Sequence, residues 1–343
     1  MLWSAAAFVT ALMLPVPDST VSTAHVDVRL DARRHQVVVT VGPFRVPVAM
    51  PMEGMDDMMM MHHAESLVGA FEWPQAALFH GVRLAVIDGR GQALPRRLLH
   101  HAYMLNFDRR QLVYSIMERP FSFGQETEDI TTPATIGMPM GTGQRMGVVL
   151  MWDNQTGREV DGAYVRFTFL LNPANQRPAP MPVMPFFVDS HMIMGGRAGY
   201  DVPPGGRTIA SDFTVPISGR LIAAGGHLHD HAVRMDLVEA NTGRILLTVT
   251  ARRDSAGTLS SVSRELPGLW GRGPHLLAGR PYRLVVVYDN PTSDTLSGSM
   301  GMMGGLFVPD DPGAWPKVDL TNPDWRADQA GIAGVTQLLA LRR

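Results

Sequence analysis

The feature that most constrains this chain is an alternation of apolar and polar residues with a period of two, bounded by turn residues. The alternation runs through residues 25–30, 36–41 and 81–87. Successive side chains of a strand point to opposite faces, so this period is typical of half-buried β-strands. Apolar residues at helical spacing are scarce before the C-terminal segment. We therefore predict an all-β protein made of antiparallel β-sandwich, jelly-roll-like domains.

The chain is expected to divide near its middle. Residues 173–185 are rich in proline, which cannot donate to a strand ladder, and this composition predicts a semi-rigid linker. On either side we predict two tandem sandwich domains, residues 25–172 and 186–310. A C-terminal tail, residues 311–343, carries two tryptophans and an apolar run, and is expected to pack a short helix on the domains.

The two halves also resemble each other in sequence. Residues 149–156 read VLMWDNQT and residues 285–292 read VVVYDNPT, and each stretch is followed by a glycine and a second apolar strand. Aligning these turns places Gly162 over Gly298 and Tyr164 over Met300. We interpret the pattern as a duplicated sandwich.

The composition excludes several classes of function. The chain has 30 basic and 32 acidic residues and a net charge of -2, so no strong field attracts a polyanion, and no nucleic-acid partner is expected. The chain has 0 cysteines, which excludes disulfides, thiolate metal sites and cysteine nucleophiles. Any soft metal ligand must then be one of the 23 methionines.

The N-terminal residues predict export. Residues 2–14 form an apolar run that is shorter than the roughly 20 residues of a spanning helix. Prolines follow it, and residues 22–24 are small, as at a signal-peptidase site. We interpret residues 1–24 as a signal peptide, with a buried N-terminal strand or an uncleaved anchor as alternatives. The expected location is extracytoplasmic (periplasmic, cell-surface or secreted) in a bacterium, without a membrane span after signal removal.

The strongest candidate metal site lies in residues 225–231, Gly-Gly-His-Leu-His-Asp-His. Alternate side chains of a strand share a face, so His227 and His229 are expected to point the same way and to bind one metal. His231 is a further candidate ligand, and the glycine pair is expected to leave room for a ligand. The alternative interpretation is a solvent-facing polar strand edge.

Methionines are concentrated in residues 297–305, SGSMGMMGG, before the last predicted strand. Thioether sulfur suits Cu(I), whereas imidazole accepts both copper states, so histidines and methionine together indicate a redox copper site rather than a zinc site. Met300 and Met302 share a face, while Met303 is expected to point away. The alternative is that these methionines fill an irregular core.

Two further features are candidate copper ligands. His100 and His101 are adjacent, and neighbouring strand residues face opposite ways, so both bind one metal only if the strand is bulged; otherwise one is a core histidine. The tract at residues 50–63 contains seven methionines and two histidines. It is interpreted as a metal-collecting loop or as an insertion without a role.

An adjacent His-His pair in a first sandwich, a His-x-His strand in a second and a methionine before the last strand resemble the copper type II, ascorbate-dependent monooxygenases. This family includes peptidylglycine hydroxylating and dopamine β-monooxygenases. Residues 226–229 and 298–301 are also similar to segments of the plant stress-induced nodulin-like proteins. The resemblance implies that His227, His229 and Met300 hold the oxygen-activating copper as catalytic residues.

The same resemblance implies that His100 and His101 are two of the three ligands of an electron-transfer copper. The family's third histidine would fall near Trp152, where this chain has none. Met138, Met140, Met151 or the tract at residues 50–63 are left as substitutes. We therefore expect the first-domain copper site to be weakened or empty.

The resemblance implies an exported, copper-dependent, monooxygenase-like oxidoreductase with one or two copper ions per chain. Its partners would be a small-molecule substrate and ascorbate or another reductant. A first alternative is a non-catalytic protein that binds, stores or transfers copper, with copper donors and acceptors as partners. A second alternative is a structural β-sandwich protein. The missing histidine and the methionine excess favour the first alternative, whereas the duplication favours the enzyme.

Overall fold

The computed structural model describes residues 24–48, 66–124, 127, 129–192, 199–270, 273–332 and 334–335. About 56% of it is strand and 6% is helix, which confirms the predicted all-β fold with β-sandwich-like domains. The three alternating segments lie in the strands His25–Asp31, Gln36–Val46 and Ala77–Ile87. The signal-peptide interpretation of residues 1–24 falls almost wholly outside the described residues, as does the methionine-rich tract at residues 50–63.

The chain forms two compact units. The first comprises Met1–Phe107, Asp129–Pro182 and Ile332–Arg343, and the second comprises Asp108–Glu128 and Val183–Gly331. These units differ from the contiguous domains predicted from the sequence, because residues 108–128 pack with the second unit.

Side-chain contacts explain why this segment packs there. Leu112 is fully buried in the apolar core of the second unit. The Arg119 guanidinium donates to the carboxylate of Asp328, at 2.6 Å, in the same unit. None of these partners lies near residues 108–128 in the sequence, so the pattern of the segment alone does not predict its destination.

The residues of the first unit that the structure describes form two sheets. The strands of the larger sheet are His25–Asp31 (β1), Gln36–Val46 (β2), Ala77–Ile87 (β4), Ile130–Thr131 (β8), Ile136–Met140 (β9), Val160–Leu171 (β11) and Met181–Pro182 (β12). They are ordered β1-β2-β11-β4-β9-β12, and β8 pairs with β4. Strand β11 alternates strictly and buries Val165, Phe167 and Phe169, so its apolar face supplies much of the core.

The smaller sheet of this unit contains Ser66–Glu72 (β3), Leu99–Arg110 (β5) and Arg145–Trp152 (β10), ordered β3-β10-β5. A 3-10 helix, Arg96–Leu98, leads into β5. The last residues of β5 belong to the second unit, where Met117–Glu118 (β6) and Ser122–Gly124 (β7) follow.

Three sheets lie in the described part of the second unit. Its strands are Met184–Asp189 (β13), Tyr200–Val202 (β14), Arg207–Thr214 (β15), Gly219–Leu228 (β16), Ala232–Glu239 (β17), Arg244–Arg253 (β18), Leu259–Val262 (β19), His275–Leu276 (β20), Pro281–Tyr288 (β21), Leu296–Ser299 (β22) and Gly301–Pro309 (β23). The sheet orders are β13-β23-β16-β20, β14-β22 and β15-β21-β17-β18-β19. Apolar residues of the larger two sheets form one buried core, which includes Met235, Val286 and Met303.

The same turn occurs in both units. Asn154 donates to the carbonyls of Val46 and Arg158, and its amide oxygen accepts from Thr156. In the second unit Asn290 likewise donates to two backbone carbonyls and accepts from Thr292. The aligned glycines Gly162 and Gly298 both have a left-handed backbone, with φ of 70° and 72°.

The proline-rich segment contains the boundary between the two units, after Pro182, and it also contributes residues to two strands. Met181–Pro182 pairs with β9, and β13 begins at Met184 and includes Pro185. Both β12 and β13 are edge strands, where a missing N–H leaves no internal ladder bond broken. Proline is therefore compatible with strand pairing here.

The C-terminal segment contains one short helix in its described part, Pro323–Gly331 (α1). Trp325 is buried, and the Trp315 indole donates to the carbonyl of Arg110 at 3.1 Å. Residues 311–331 therefore pack within the second unit through their tryptophans, whereas the chain from Ile332 onwards belongs to the first unit. In the described part of the chain, 3-10 turns also occur at Pro267–Trp270, which precedes β20, and at Pro312–Ala314, which follows β23. Among the described residues, every helix is too short or too polar to cross a bilayer.

Candidate metal centre

Three neighbouring strands of the second unit place a row of candidate ligand side chains on one sheet face. His227 of β16 lies opposite Met302 of β23, and Met302 lies opposite Asp189 of β13. Directly opposed residues of antiparallel strands share a face, so the imidazole, the thioether and the carboxylate are neighbours in one row. Met303 points to the other face and is fully buried in the core, as its position predicts.

The imidazoles of His227 and His229 converge at their tips. Their Nε2 atoms are 3.0 Å apart, and the rings meet nearly edge to face at 80°. Two nitrogen ligands on a tetrahedral metal with bonds of 2.0–2.1 Å lie roughly 3.3 Å apart. The two rings are thus within a few tenths of an ångström of chelating separation, in half-buried positions.

His231 occupies a different environment. Strand β16 ends at Leu228, and His231 lies in the following turn with a left-handed backbone, φ 64°. Its ring packs against Gly257, where an added Cβ would lie 2.3 Å from Nδ1. The prediction that His231 shares a face with His227 and His229 required a regular strand, and the strand has ended before His231. The His231 ring instead lines an open cavity beside Arg253 and Asp289.

Gly226 has a different role from the one expected. A Cβ at this residue would lie 2.2 Å from the backbone oxygen of Met302 and 2.4 Å from the side chain of Met235. Gly226 therefore allows β16 and β23 to approach closely over the core. It does not open space for a ligand.

The hydroxyl of Tyr288 connects two of the predicted ligand segments. It accepts a hydrogen bond from the backbone N–H of His229 at 3.1 Å and donates to the backbone carbonyl of Met300. Tyr288 is buried, and burial raises the pKa of its hydroxyl far above the ordinary value. The hydroxyl therefore keeps its proton and remains a donor.

The backbones of both candidate methionines adjoin the segment that carries the histidine pair. Met300 is half-buried between β22 and β23, and its carbonyl is bound by Tyr288. Met302 is half-buried and pairs directly with His227. The assignment of Met300 as the ligand stays a prediction, with Met302 as the alternative.

Asp189 and His191 are site neighbours that the sequence pattern did not single out. The Asp189 carboxylate is 5% exposed and accepts the backbone N–H of His191 at 2.8 Å. Burial raises the pKa of Asp189 from 3.8 to about 6, although His191, His227 and Arg119 act to lower it. Their proximity depends on strand pairing between distant segments, which no local motif reveals.

A β-bulge brings the two histidines of the first unit together. Met151 lies opposite His101 and the next residue, Trp152, lies opposite Leu99, so His100 is the extra residue. A bulge redirects side chains that would otherwise point to opposite faces. The rings of His100 and His101 accordingly lie 4.1 Å apart, tilted by 33°.

The structure separates the candidate substitutes for the absent third histidine. Met151 lies directly across the strand pair from His101, and is half-buried. Met138 and Met140 are buried on β9, which belongs to the other sheet of this unit. Trp152, near the position where the resemblance expects a histidine, packs its ring 5.4 Å from that of Phe44. Among these described residues, Met151 is the one placed beside the pair.

Comparisons with known proteins add little. No protein-family model matches the chain, and no curated protein does. The crystal structure of the STIV MCP is 7% identical with a TM-score of 0.39, over 83% of this chain and 98% of that chain. A structure of PNGF-II is 11% identical with a TM-score of 0.38, over 79% and 66%. A fucolectin from striped bass (Morone saxatilis) serum is 9% identical with a TM-score of 0.18, over 82% and 85%. Likenesses this remote carry no argument about function.

Proposed function

We propose that this protein is a copper-dependent oxidoreductase, exported from the cell, with chemistry like that of the ascorbate-dependent copper monooxygenases. The copper ligands are His227, His229 and the thioether of Met300, with Met302 as the alternative sulfur. The observation that carries the proposal is the 3.0 Å separation of the two Nε2 atoms, with methionines on the adjoining backbone.

The donor set fits copper better than other metals. Two imidazoles and one thioether are neutral and include a soft sulfur, which favours Cu(I) while leaving Cu(II) accessible. Zinc also accepts imidazole, but its sites are usually completed by thiolate, carboxylate or water rather than by a thioether, and the hard divalent cations prefer oxygen ligands. The nearest carboxylate in the row, Asp189, already accepts the N–H of His191 and is buried on the far strand.

When bound, copper would supply one-electron redox chemistry. In the overall reaction, a substrate C–H bond and one dioxygen, with two electrons and two protons, give an alcohol and one water. The protein's own groups bind and orient. His227 and His229 act as neutral imidazole ligands through Nε2, and Met300 supplies the thioether, with Met302, which pairs with His227, as the alternative. Ascorbate or another small reductant supplies the electrons.

A second copper is proposed at His100 and His101, whose rings the bulge brings together, with Met151 opposite. Two imidazoles and a thioether again favour Cu(I). Without a third imidazole, this site is expected to hold copper less firmly than a three-histidine site, so electron supply to the second unit is inefficient.

A non-catalytic role in copper binding or transfer is the second candidate. The observation that favours it is that thioethers flank the histidines in both units, at Met151 and at Met302. Neutral, soft ligands also suit a protein that holds Cu(I) and passes it on.

Copper analysis of the whole chain tests the proposal. We expect one or two copper ions per wild-type chain after loading with Cu(I), and the loss of one ion in both His227→Ala and His229→Ala. His275→Ala is the matched control, because this histidine lies elsewhere and pairs with Asp310 at 2.8 Å. Unchanged stoichiometry in both site variants would refute the metal centre, and copper-free wild-type protein would favour a structural role.

Oxygen consumption separates the two copper-binding candidates. With ascorbate, the copper-loaded oxidoreductase is expected to take up dioxygen at a rate that depends on His227. Because the first-unit site is incomplete, much of the product without substrate is expected to be hydrogen peroxide. A binding or transfer protein would hold copper without His227-dependent oxygen uptake.

A further inference from the structure

Two copper-ligand segments of the second unit meet at one buried hydroxyl. His229 lies just beyond the end of β16, and Met300 lies in the break between β22 and β23, so neither residue is part of a strand. Tyr288 accepts the N–H of His229 and donates to the carbonyl of Met300. A single oxygen atom therefore joins the backbones of both residues.

We propose that Tyr288 is a positioning residue that holds Met300 beside His229 and thereby selects Met300, rather than Met302, as the thioether ligand. The inference rests on the copper site proposed above. Met302 owes its position to the strand pairing with His227, which does not involve Tyr288. Met300 itself has no partner residue in the strand ladder, although Gly301 beside it pairs with Leu228, and the hydroxyl is the contact that joins its carbonyl to the backbone N–H of His229.

The surroundings of Tyr288 keep its ring in one place. The residue is 3% exposed, and the ring of Tyr200 packs against it edge to face, 6.0 Å away at 85°. Gly301, directly after Met300, packs so closely on Val286 that a Cβ would lie 2.6 Å from a methyl carbon of that valine. Water has little access to a hydroxyl in such a setting, and a buried hydrogen bond is stronger than an exposed one.

The duplicated turn offers an internal comparison. The residue that precedes the repeated Asp-Asn turn is Tyr288 in the second unit and Trp152 in the first. An indole has an N–H donor and no acceptor oxygen, so it cannot accept one backbone N–H while donating to a carbonyl. The tie is therefore specific to the unit that contains the His-x-His segment.

Tyr288→Phe tests the proposal, with Tyr282→Phe as its matched control. Tyr282 lies on the same strand, is also buried, and its hydroxyl accepts the N–H of Leu277 at 2.7 Å. Each variant deletes one buried hydroxyl that accepts a backbone N–H. All variants are made in a His101→Ala background, which removes the histidine pair of the first unit. The Cu(I) dissociation constant is measured by chelator competition, and the sulfur contribution is measured in the X-ray absorption spectrum of the Cu(I)-loaded protein.

We expect the His101→Ala protein with Tyr288 intact to show copper–sulfur scattering. Tyr288→Phe should lose that contribution and bind Cu(I) about tenfold more weakly, the factor that corresponds to one net hydrogen bond. Tyr282→Phe should retain both properties. Met300→Leu should match Tyr288→Phe, and the double variant should show no further loss, whereas Met302→Leu should keep the sulfur signal.

Two results would overturn the proposal. One is a sulfur signal and affinity that Tyr288→Phe leaves unchanged. The other, which needs no folded Tyr288 variant, is loss of the sulfur signal in Met302→Leu with its retention in Met300→Leu. If the background protein binds no copper, the proposed function itself fails, and that outcome is distinguished by the first measurement of the series.

Discussion

Adjacent methionines of β23 experience opposite environments, and this difference decides what each contributes. Met303 is fully buried among apolar side chains, whereas Met302 is half-buried on the face that carries His227. A strand alternates its faces at every residue, so one step along the backbone separates a position in the core from a position beside His227. The same residue type therefore occupies two different environments.

Truncating these two methionines should therefore have different effects on stability. Met303→Ala removes core contacts and leaves a cavity, so we expect it to lower the free energy of unfolding by about 2–5 kcal/mol. Met302→Ala should cost less than about 1 kcal/mol, because its environment is partly open. Urea denaturation of the metal-free variants measures both values, and equal losses would contradict the assignment of faces.

Asp189 should make the metal-free protein's stability depend on pH in an unusual direction. Its pKa is raised to about 6 when folded, chiefly by burial, against about 4 for an unfolded aspartate. The folded state therefore penalises the ionised form, so this group's stabilising contribution is complete below pH about 4 and is lost as the pH rises through 6. At neutral pH the loss is roughly 3 kcal/mol at most.

Asp189→Asn should remove this penalty while its amide oxygen still accepts the N–H of His191. We expect the variant to be more stable than wild type at pH 7.5, with a difference that shrinks towards pH 4. The control is Asp212→Asn, since the exposed Asp212 has its pKa lowered by a hydrogen bond from Arg283 and should show the opposite trend. An Asp189→Asn difference that does not vary with pH would contradict the raised pKa.

At the scale of the element, the bulge in β5 changes what an adjacent histidine pair can do. A regular strand would send His100 and His101 to opposite faces, but the extra residue opposite Met151 and Trp152 brings the rings within 4.1 Å. From the sequence, one can say only that His100 and His101 would share a metal if the strand were bulged. Whether a strand bulges depends on its register with a partner some 50 residues away, which local residues do not encode.

Met151 should support copper binding in the first unit. In a His227→Ala background, which isolates this site, Met151→Leu removes the sulfur that lies opposite His101 and should reduce the bound Cu(I). Met181→Leu is the control, because that methionine is exposed on the edge strand β12. Equal copper content in both variants, by metal analysis after chelator washing, would exclude Met151 as a ligand.

Over the whole molecule, the sequence predicts the strands far better than their assembly. The alternation of β11 and β21 is a property of neighbouring residues, so the sequence predicts both strands. The repeated Asn-x-Thr turns can likewise be recognised from the sequence without knowledge of their hydrogen bonds. The destination of residues 108–128 and the edge strands of the proline-rich segment depend on distant partners. The hydrogen bonds that join Tyr288 to the backbones of His229 and Met300 also link distant segments, so the sequence does not predict them.

The ion pair between Arg119 and Asp328 should be important for the stability of the second unit. Asp328 is buried on α1, where it accepts from the Arg119 guanidinium and from the backbone N–H of Met117 at 2.9 Å. Asp328→Ala takes the carboxylate from the half-buried Arg119 guanidinium and from the backbone N–H of Met117, so it should cost about 3 kcal/mol. Chemical denaturation measures this loss, for which Asp324→Ala on the exposed side of the helix is the control.

The interleaved path of the chain also affects how this protein can change over generations. Residues 108–128 lie within the stretch of sequence that codes for the first unit, yet they complete the second. Recombination moves contiguous stretches of a gene, so neither unit can be exchanged as a single cassette without taking a foreign segment or leaving one behind. The two halves are therefore expected to be inherited and to diverge together, even though their repeated turns show that they are built alike.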